Sequence, residues 1–422
     1  MNKKLLTNAM ALLAAMAATA QKSFDVTVVN DCLKAKNNVP VVIKLDGRGV
    51  DAKSALVTDG GREIACQMDD LDQDGRYDEL CFMTDVNGKS SKTLNVTLYA
   101  DGTPRSYEPQ VYVEMLLSNK KIKQQNKQNL YISELTVDNG TNPYWQLHHH
   151  GAAFENDMVA YRIYFDHRQT VDIYGKYRKG LELRQTQFYP DSTQKAAGYG
   201  DDVLWVGSTL GLGTLRGWDG RQPTMLEDVD RRSQRIIARG PVRTIVEVED
   251  KGWRQMRLGG KTAQAAVAGD RRTAPVDMTT LYTLYAGRRE CSVDVRFSRP
   301  VPDLRFATGM INVKNSTEFS DGEGLRGCWG TDWPVSAKDS AGHKRETVGL
   351  GICIPKEYIE SERPADKHNY AYLIKTDTDR LHYMITFGSD NESFGYHSDE
   401  EWYAYLKEWK DDISHPVTIR EE

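Results

Sequence analysis

The chain has 422 residues, 39% hydrophobic and 27% charged, with a formal net charge of −5. That hydrophobic content excludes a disordered chain, and the mild acidity argues against nucleic acid, which needs clustered basic residues. Beyond the N-terminus no apolar run approaches the roughly 18 residues of a membrane span.

Residues 1–20 read as an export signal. Lys3 and Lys4 precede an alanine-rich apolar run, and Ala18-Thr19-Ala20 supplies a small-x-small cleavage site. The mature protein is therefore expected in the periplasm or secreted. Phe24–Val29, Val39–Lys44, Glu63–Gln67, Glu79–Thr84 and Thr93–Tyr99 are short alternating runs divided by Asn, Asp and Gly. They predict a small β-sandwich over 21–102. The polar, proline-containing stretch 103–127 reads as a linker or an exposed excursion.

Residues 128–422 predict one large antiparallel sandwich. Its runs include Met158–Phe165, Thr170–Tyr174, Leu181–Phe188, Val242–Val248, Met278–Tyr285, Ser292–Phe297, Arg305–Val313, Thr347–Ile354 and Leu381–Phe387. One helix is expected near the end. Ser398 and Glu401 form a capping box, and Trp402, Tyr405, Leu406 and Trp409 follow helical spacing.

Asp70, Asp72, Asp74, Gly75 and Asp78 set oxygen ligands at near-alternate positions around a turn glycine, a pattern suited to structural Ca²⁺. An acidic turn without metal is the alternative. Cys66 and Cys81 flank that loop as either a disulfide pair or free thiols.

The second constellation runs from Tyr144 to Asp157 through His148, His149, His150, Glu155 and Asp157; if extended, His148 and His150 share one face and His149 takes the other, and a hydrogen-bonded surface loop is the alternative. Histidines there suit a general base. In the next two segments Arg162 lies beside Tyr164, and Asp172, Tyr174 and Lys176 share a face if extended. Such a polar row on a sheet suits a sugar cleft. Asp201, Asp202, Arg216 and Trp218 sit in a glycine-rich stretch read as tight loops lining a cleft, and Trp329 and Trp333 are further candidates for stacking on sugar rings. No βαβ frame surrounds the Gly-x-Gly pattern, so nucleotide binding is not supported.

At HHHGAAFENDMVAYRIYFD, TVDIYGK, AGYGDDVLWVGSTLGLGTLRGWDG and EEWYAYLKEW the chain resembles a family of exported bacterial proteins of unassigned function from polysaccharide-utilisation systems. The resemblance implies a galactose-mutarotase-like supersandwich. The expected fold is thus all-β: a small N-terminal sandwich, a large supersandwich and a C-terminal helix.

Together these readings point to a carbohydrate-active enzyme on uronic-acid-containing, pectin-like glycans, acting by β-elimination. Arg162, Lys176 or Arg216 would neutralise the substrate carboxylate; His149, His150 or Tyr174 would move protons. His148, Glu155, Asp157, Asp172, Asp201, Asp202 and Trp218 would help bind substrate. The alternatives are a glycoside hydrolase using two of Glu155, Asp157, Asp201 and Asp202, a non-catalytic glycan-binding protein, and a sugar mutarotase. The expected partner is an acidic poly- or oligosaccharide.

Overall fold

A computed structural model describes residues 21–121, 127–255 and 272–422. The export signal expected in 1–20 lies outside the described residues. The fold is all-β and antiparallel throughout, with a C-terminal helix. Among the described residues no helix is long and apolar enough to cross a membrane.

The chain divides into two compact units. The smaller comprises the described residues up to Glu108, together with Gly240–Val242 and Pro416–Glu422. Its five-stranded sheet contains Gln21–Asn30, Ser54–Asp59, Arg62–Ile64, Ser90–Tyr99 and Thr418–Glu421, and its three-stranded sheet contains Lys36–Lys44, Cys66–Asp69 and Glu79–Val86. Alternate residues of both sheets, among them Val26, Val57, Val96, Ile43, Leu80 and Phe82, meet in one core. The last strand pairs with the first, Val26 opposite Glu421. The chain end was expected in the large unit. It belongs here through that pairing, and an exposed four-residue strand carries too little apolar surface to reveal such a partner in sequence.

Cys66 and Cys81, which flank the acidic loop, are not bonded to each other. Cys66 opposes Phe82 and Cys81 opposes Gln67, so the two thiols project from opposite faces of their sheet.

The larger unit spans Pro109–Arg239 and Arg243–His415. A nine-stranded sheet and two five-stranded sheets share one core, to which Val246, Tyr282, Ile385, Phe154, Ile163, Phe306 and Met310 contribute. Strand Val111–Glu114 lies at the edge of one five-stranded sheet, so the stretch read as a linker is structured there. The run Leu181–Phe188, read as a strand, instead holds the short helix Leu183–Thr186. The helix Asp399–Ser414 starts at Ser398, whose hydroxyl accepts from Glu401 N. Trp402, Leu406 and Trp409 are buried. Glycines make this close seat possible: a Cβ at Gly349 would stand 2.6 Å from Trp402, and one at Gly351 would stand 2.5 Å from Leu406.

Candidate functional site

The site sheet has the spatial order Asp201–Asp202, Val171–Gly175, Ala160–Tyr164, Gly151–Asn156, Val111–Glu114. Arg162 opposes Asp172 and Ala160 opposes Tyr174 across the hairpin. Because strand side chains alternate, Phe154, Tyr161, Ile163, Val171 and Ile173 enter the main core. The other face carries Glu114, Glu155, Arg162, Tyr164, Asp172, Tyr174, Lys176 and Asp202.

That polar row was expected to line an open cleft. It is a buried layer instead, covered by the segment that carries Leu183, Phe188 and Tyr189. Leu183 and Phe188 pack on Ala153, Ala160 and Tyr174 between the charged groups, which keeps all but the half-buried Asp202 end of the row out of solvent.

Inside the layer each charge meets a partner. Arg162 Nε and Nη2 donate to Asp172 Oδ2 at 3.0 and 2.6 Å, and Nη2 also donates to Asp202 Oδ2 at 2.7 Å. Its Nη1 donates to the Tyr189 hydroxyl at 2.9 Å, and the Phe188 ring lies 4.1 Å from the guanidinium carbon. Lys176 Nζ donates to Glu155 Oε2 and to Asn156 O, both at 2.6 Å. Glu155 accepts in turn from Glu182 N and Leu183 N, satisfying orphan amides at the start of the short helix. This side-chain anchor is why Leu181–Phe188 turns instead of extending. The Tyr174 hydroxyl donates to Glu182 Oε2 at 3.1 Å, and burial lifts its pKa above the ordinary tyrosine range.

The histidines form a tight turn and not an extended row, and strand Gly151–Asn156 follows directly. His149 and His150 have φ of 43° and 69°, a left-handed conformation unusual for residues with a side chain. His149 Nε2 lies 3.2 Å from Glu114 Oε1. Burial pushes His149 down to about 3 and Glu114 up to about 8, so at neutral pH the pair is an uncharged imidazole and a protonated carboxyl. His148 is buried beside it, pushed down to about 3 by desolvation and then by His149.

His150 is different. It is half-buried at a rim with Tyr144 and Trp145. Its ring stacks on Tyr144 at 3.7 Å with the planes 4° apart, and Trp145 stands edge-on to both. Nδ1 lies 2.9 Å from Tyr144 O, so Nδ1 carries the hydrogen and Nε2 keeps its lone pair. Burial pushes the His150 pKa down to about 4, against that hydrogen bond. Tyr164 touches the rim edge-on, and the Arg168 guanidinium lies 4.5 Å from the Tyr144 ring centroid. Trp145 is 79% exposed.

The remaining expected site residues disperse. Asp157 is half-buried after the histidine strand, and Asp201 is ion-paired with Lys195. Trp218 lies under the Arg363 guanidinium, 5.7 Å from its ring centroid, and Arg216 is buried under the glycine-rich loop. Trp329 packs beside Trp402 of the C-terminal helix, and Trp333 lies under Arg345. In the smaller unit, carboxylate oxygens of Asp70, Asp72 and Asp78 lie within 4.8 Å of one another, and Asp74 accepts from Arg76 N.

Sequence reading missed Glu114, Glu182, Tyr189 and Trp145. The first three reach the layer from outside the motifs. Trp145 stands directly before the histidines, and its place in that aromatic-rich run was the available signal.

A family model for "Domain of unknown function (DUF4861)" matches residues 28–419. The chain belongs to this family. No curated protein matches it. Among solved structures, an α-mannosidase from Enterococcus faecalis V583 is similar at 11% identity and TM-score 0.46, over 99% of this chain and 48% of its own. A glycosyl hydrolase family 38 protein from Enterococcus faecalis is similar at 10% identity and TM-score 0.48, over 95% and 47%. The chain thus spans about half the length of these two structures.

Proposed function

We propose that this family member is a carbohydrate-active protein that takes glycan at the rim formed by Trp145, Tyr144 and His150. The observation that carries the reading is Trp145. A large aromatic ring left 79% exposed while Tyr144 holds it at 4.8 Å is a preorganised flat apolar surface. Sugar rings present matching apolar faces. The buried charges beside it are internally neutralised, which favours binding over chemistry that needs free acid and base groups. The test is calorimetry against a panel of acidic and neutral polysaccharides. One or more should bind the wild type, and Trp145→Ala should weaken that binding at least about tenfold, some 1.4 kcal/mol. Equal affinity in the variant, or no ligand in the panel, would remove this reading.

A second reading, β-elimination at a uronate, is favoured by the locked tautomer of His150. Its unprotonated Nε2 is suited to take the C5 proton while an acid protonates the leaving oxygen. Arg162 and Lys176 already hold carboxylates, so they do not support a role as substrate receptors. Elimination predicts an unsaturated uronate that absorbs in the ultraviolet, formed by wild type and lost in His150→Ala. Products without that chromophore exclude it. Paired-carboxylate hydrolysis gains no geometric support, because Glu155, Asp201 and Asp202 each face a cation.

For the acidic loop we propose structural Ca²⁺. Oxygen ligands at 2.3–2.6 Å from one ion lie about 3–5 Å apart, which the Asp70, Asp72 and Asp78 oxygens satisfy. Export, proposed from residues 1–20, is tested by the N-terminal sequence of the mature protein.

A further inference from the structure

Arg216 opens strand Arg216–Trp218 and is 1% exposed. Its Nη2 donates to Thr170 Oγ1 at 3.1 Å and to Thr209 O at 3.2 Å, both uncharged acceptors. Its Nη1 is buried without a hydrogen-bond partner. Four other buried arginines are balanced: Arg162 by Asp172 and Asp202, Arg232 by Asp250, Arg289 by Glu392, and Arg326 by Glu318. Among the described residues no carboxylate stands within ion-pair distance of Arg216. The acidic group that acts on it most strongly is Asp166. Both Asp166 oxygens are already held by Arg168, through its backbone N at 2.8 Å and its Nε at 2.7 Å.

Burial lowers the Arg216 pKa only to about 10, so the group stays charged at neutral pH. An isolated charge in a protein interior is costly unless paired. A water molecule would satisfy the free N–H and leave the charge uncompensated. An anion satisfies both.

We propose that Arg216 Nη1 holds a small monovalent anion of the halide class, chloride foremost, inside the larger unit. One guanidinium with two uncharged neighbours matches one negative charge on a compact ion. A sulfate or phosphate would bring surplus charge and need more donors than Arg216 has free.

The test compares melting of the full chain in sodium chloride and in sodium gluconate at equal ionic strength, with crystals grown in bromide. Saturating chloride should raise the melting temperature by about 3–6 °C, because an ion bound only by the folded state stabilises it. Bromide should give an anomalous peak within hydrogen-bond reach of Nη1. Arg216→Met should lose the chloride response. If that variant does not fold, the wild-type bromide peak decides. Absence of that peak overturns the proposal, as does a chloride response that persists unchanged in Arg216→Met.

Discussion

The layer on the outer face of the site sheet and the rim at Trp145 are drawn from neighbouring stretches of one segment, His150 standing five residues before Glu155, yet they are opposites. In the layer Arg162, Lys176, Asp172 and Glu155 are buried and hold one another. At the rim Trp145 is open and His150 keeps one nitrogen lone pair unprotonated. Polar chemistry in sequence therefore divides into scaffold and surface according to what covers it. Here the cover is the segment that carries Leu183, Phe188 and Tyr189.

The largest expected effect lies in the layer. Glu155→Ala leaves the Lys176 ammonium buried without its counter-charge and releases the amides of Glu182 and Leu183. Breaking a buried pair from one side costs about 3–5 kcal/mol. Denaturant unfolding should show that loss, and a loss below about 1 kcal/mol would mean that the layer is not the scaffold it looks like.

The next test uses pH. The folded chain keeps a proton on Glu114 up to about pH 8, whereas the unfolded carboxyl loses it near 4.5. Stability therefore falls as pH rises between those values. The three histidines act in the opposite sense. Their folded pKa values of about 3 to 4 lie below the ordinary 6.5, so stability rises with pH over that lower window. Above pH 6.5 the histidine contribution is complete, and Glu114 contributes a slope of at most about 1.4 kcal/mol per pH unit beside those of Glu155, Glu182, Asp202 and Glu392, which burial also raises. Glu114→Gln should make the fall of stability between pH 6.5 and 8 shallower. An unchanged slope would assign it to another group.

A smaller effect is expected from chelation. If the Asp70, Asp72 and Asp78 oxygens hold Ca²⁺, removing it should lower the melting temperature by about 2–4 °C, with Asp78→Asn insensitive to chelator. Identical melting with and without calcium would leave an acidic turn. The smallest effect is at the rim. Trp145→Ala should change stability by no more than about 0.5 kcal/mol, since an exposed side chain leaves no cavity behind. A larger loss would make Trp145 part of the scaffold and erase the contrast with the layer.

The all-β class, the alternation that puts Tyr161 and Ile163 opposite Arg162, and the helix from Ser398 were legible in sequence. Each is a local signal: strand side chains alternate with period two, helical ones recur near 3.6, and a serine cap acts within one turn. The consecutive runs Met158–Phe165 and Thr170–Tyr174 became the paired strands Ala160–Tyr164 and Val171–Gly175, because short connections make neighbours of consecutive strands. Tertiary structure alone decided what those side chains face. Leu181–Phe188 looked extended until the Glu155 carboxylate captured its amides. The closing strand Thr418–Glu421 found its partner about 400 residues earlier in the chain. Whether a charge is buried and balanced, like Arg162, or buried and unbalanced, like Arg216, depends on groups brought together across the fold, and no local pattern carries that information.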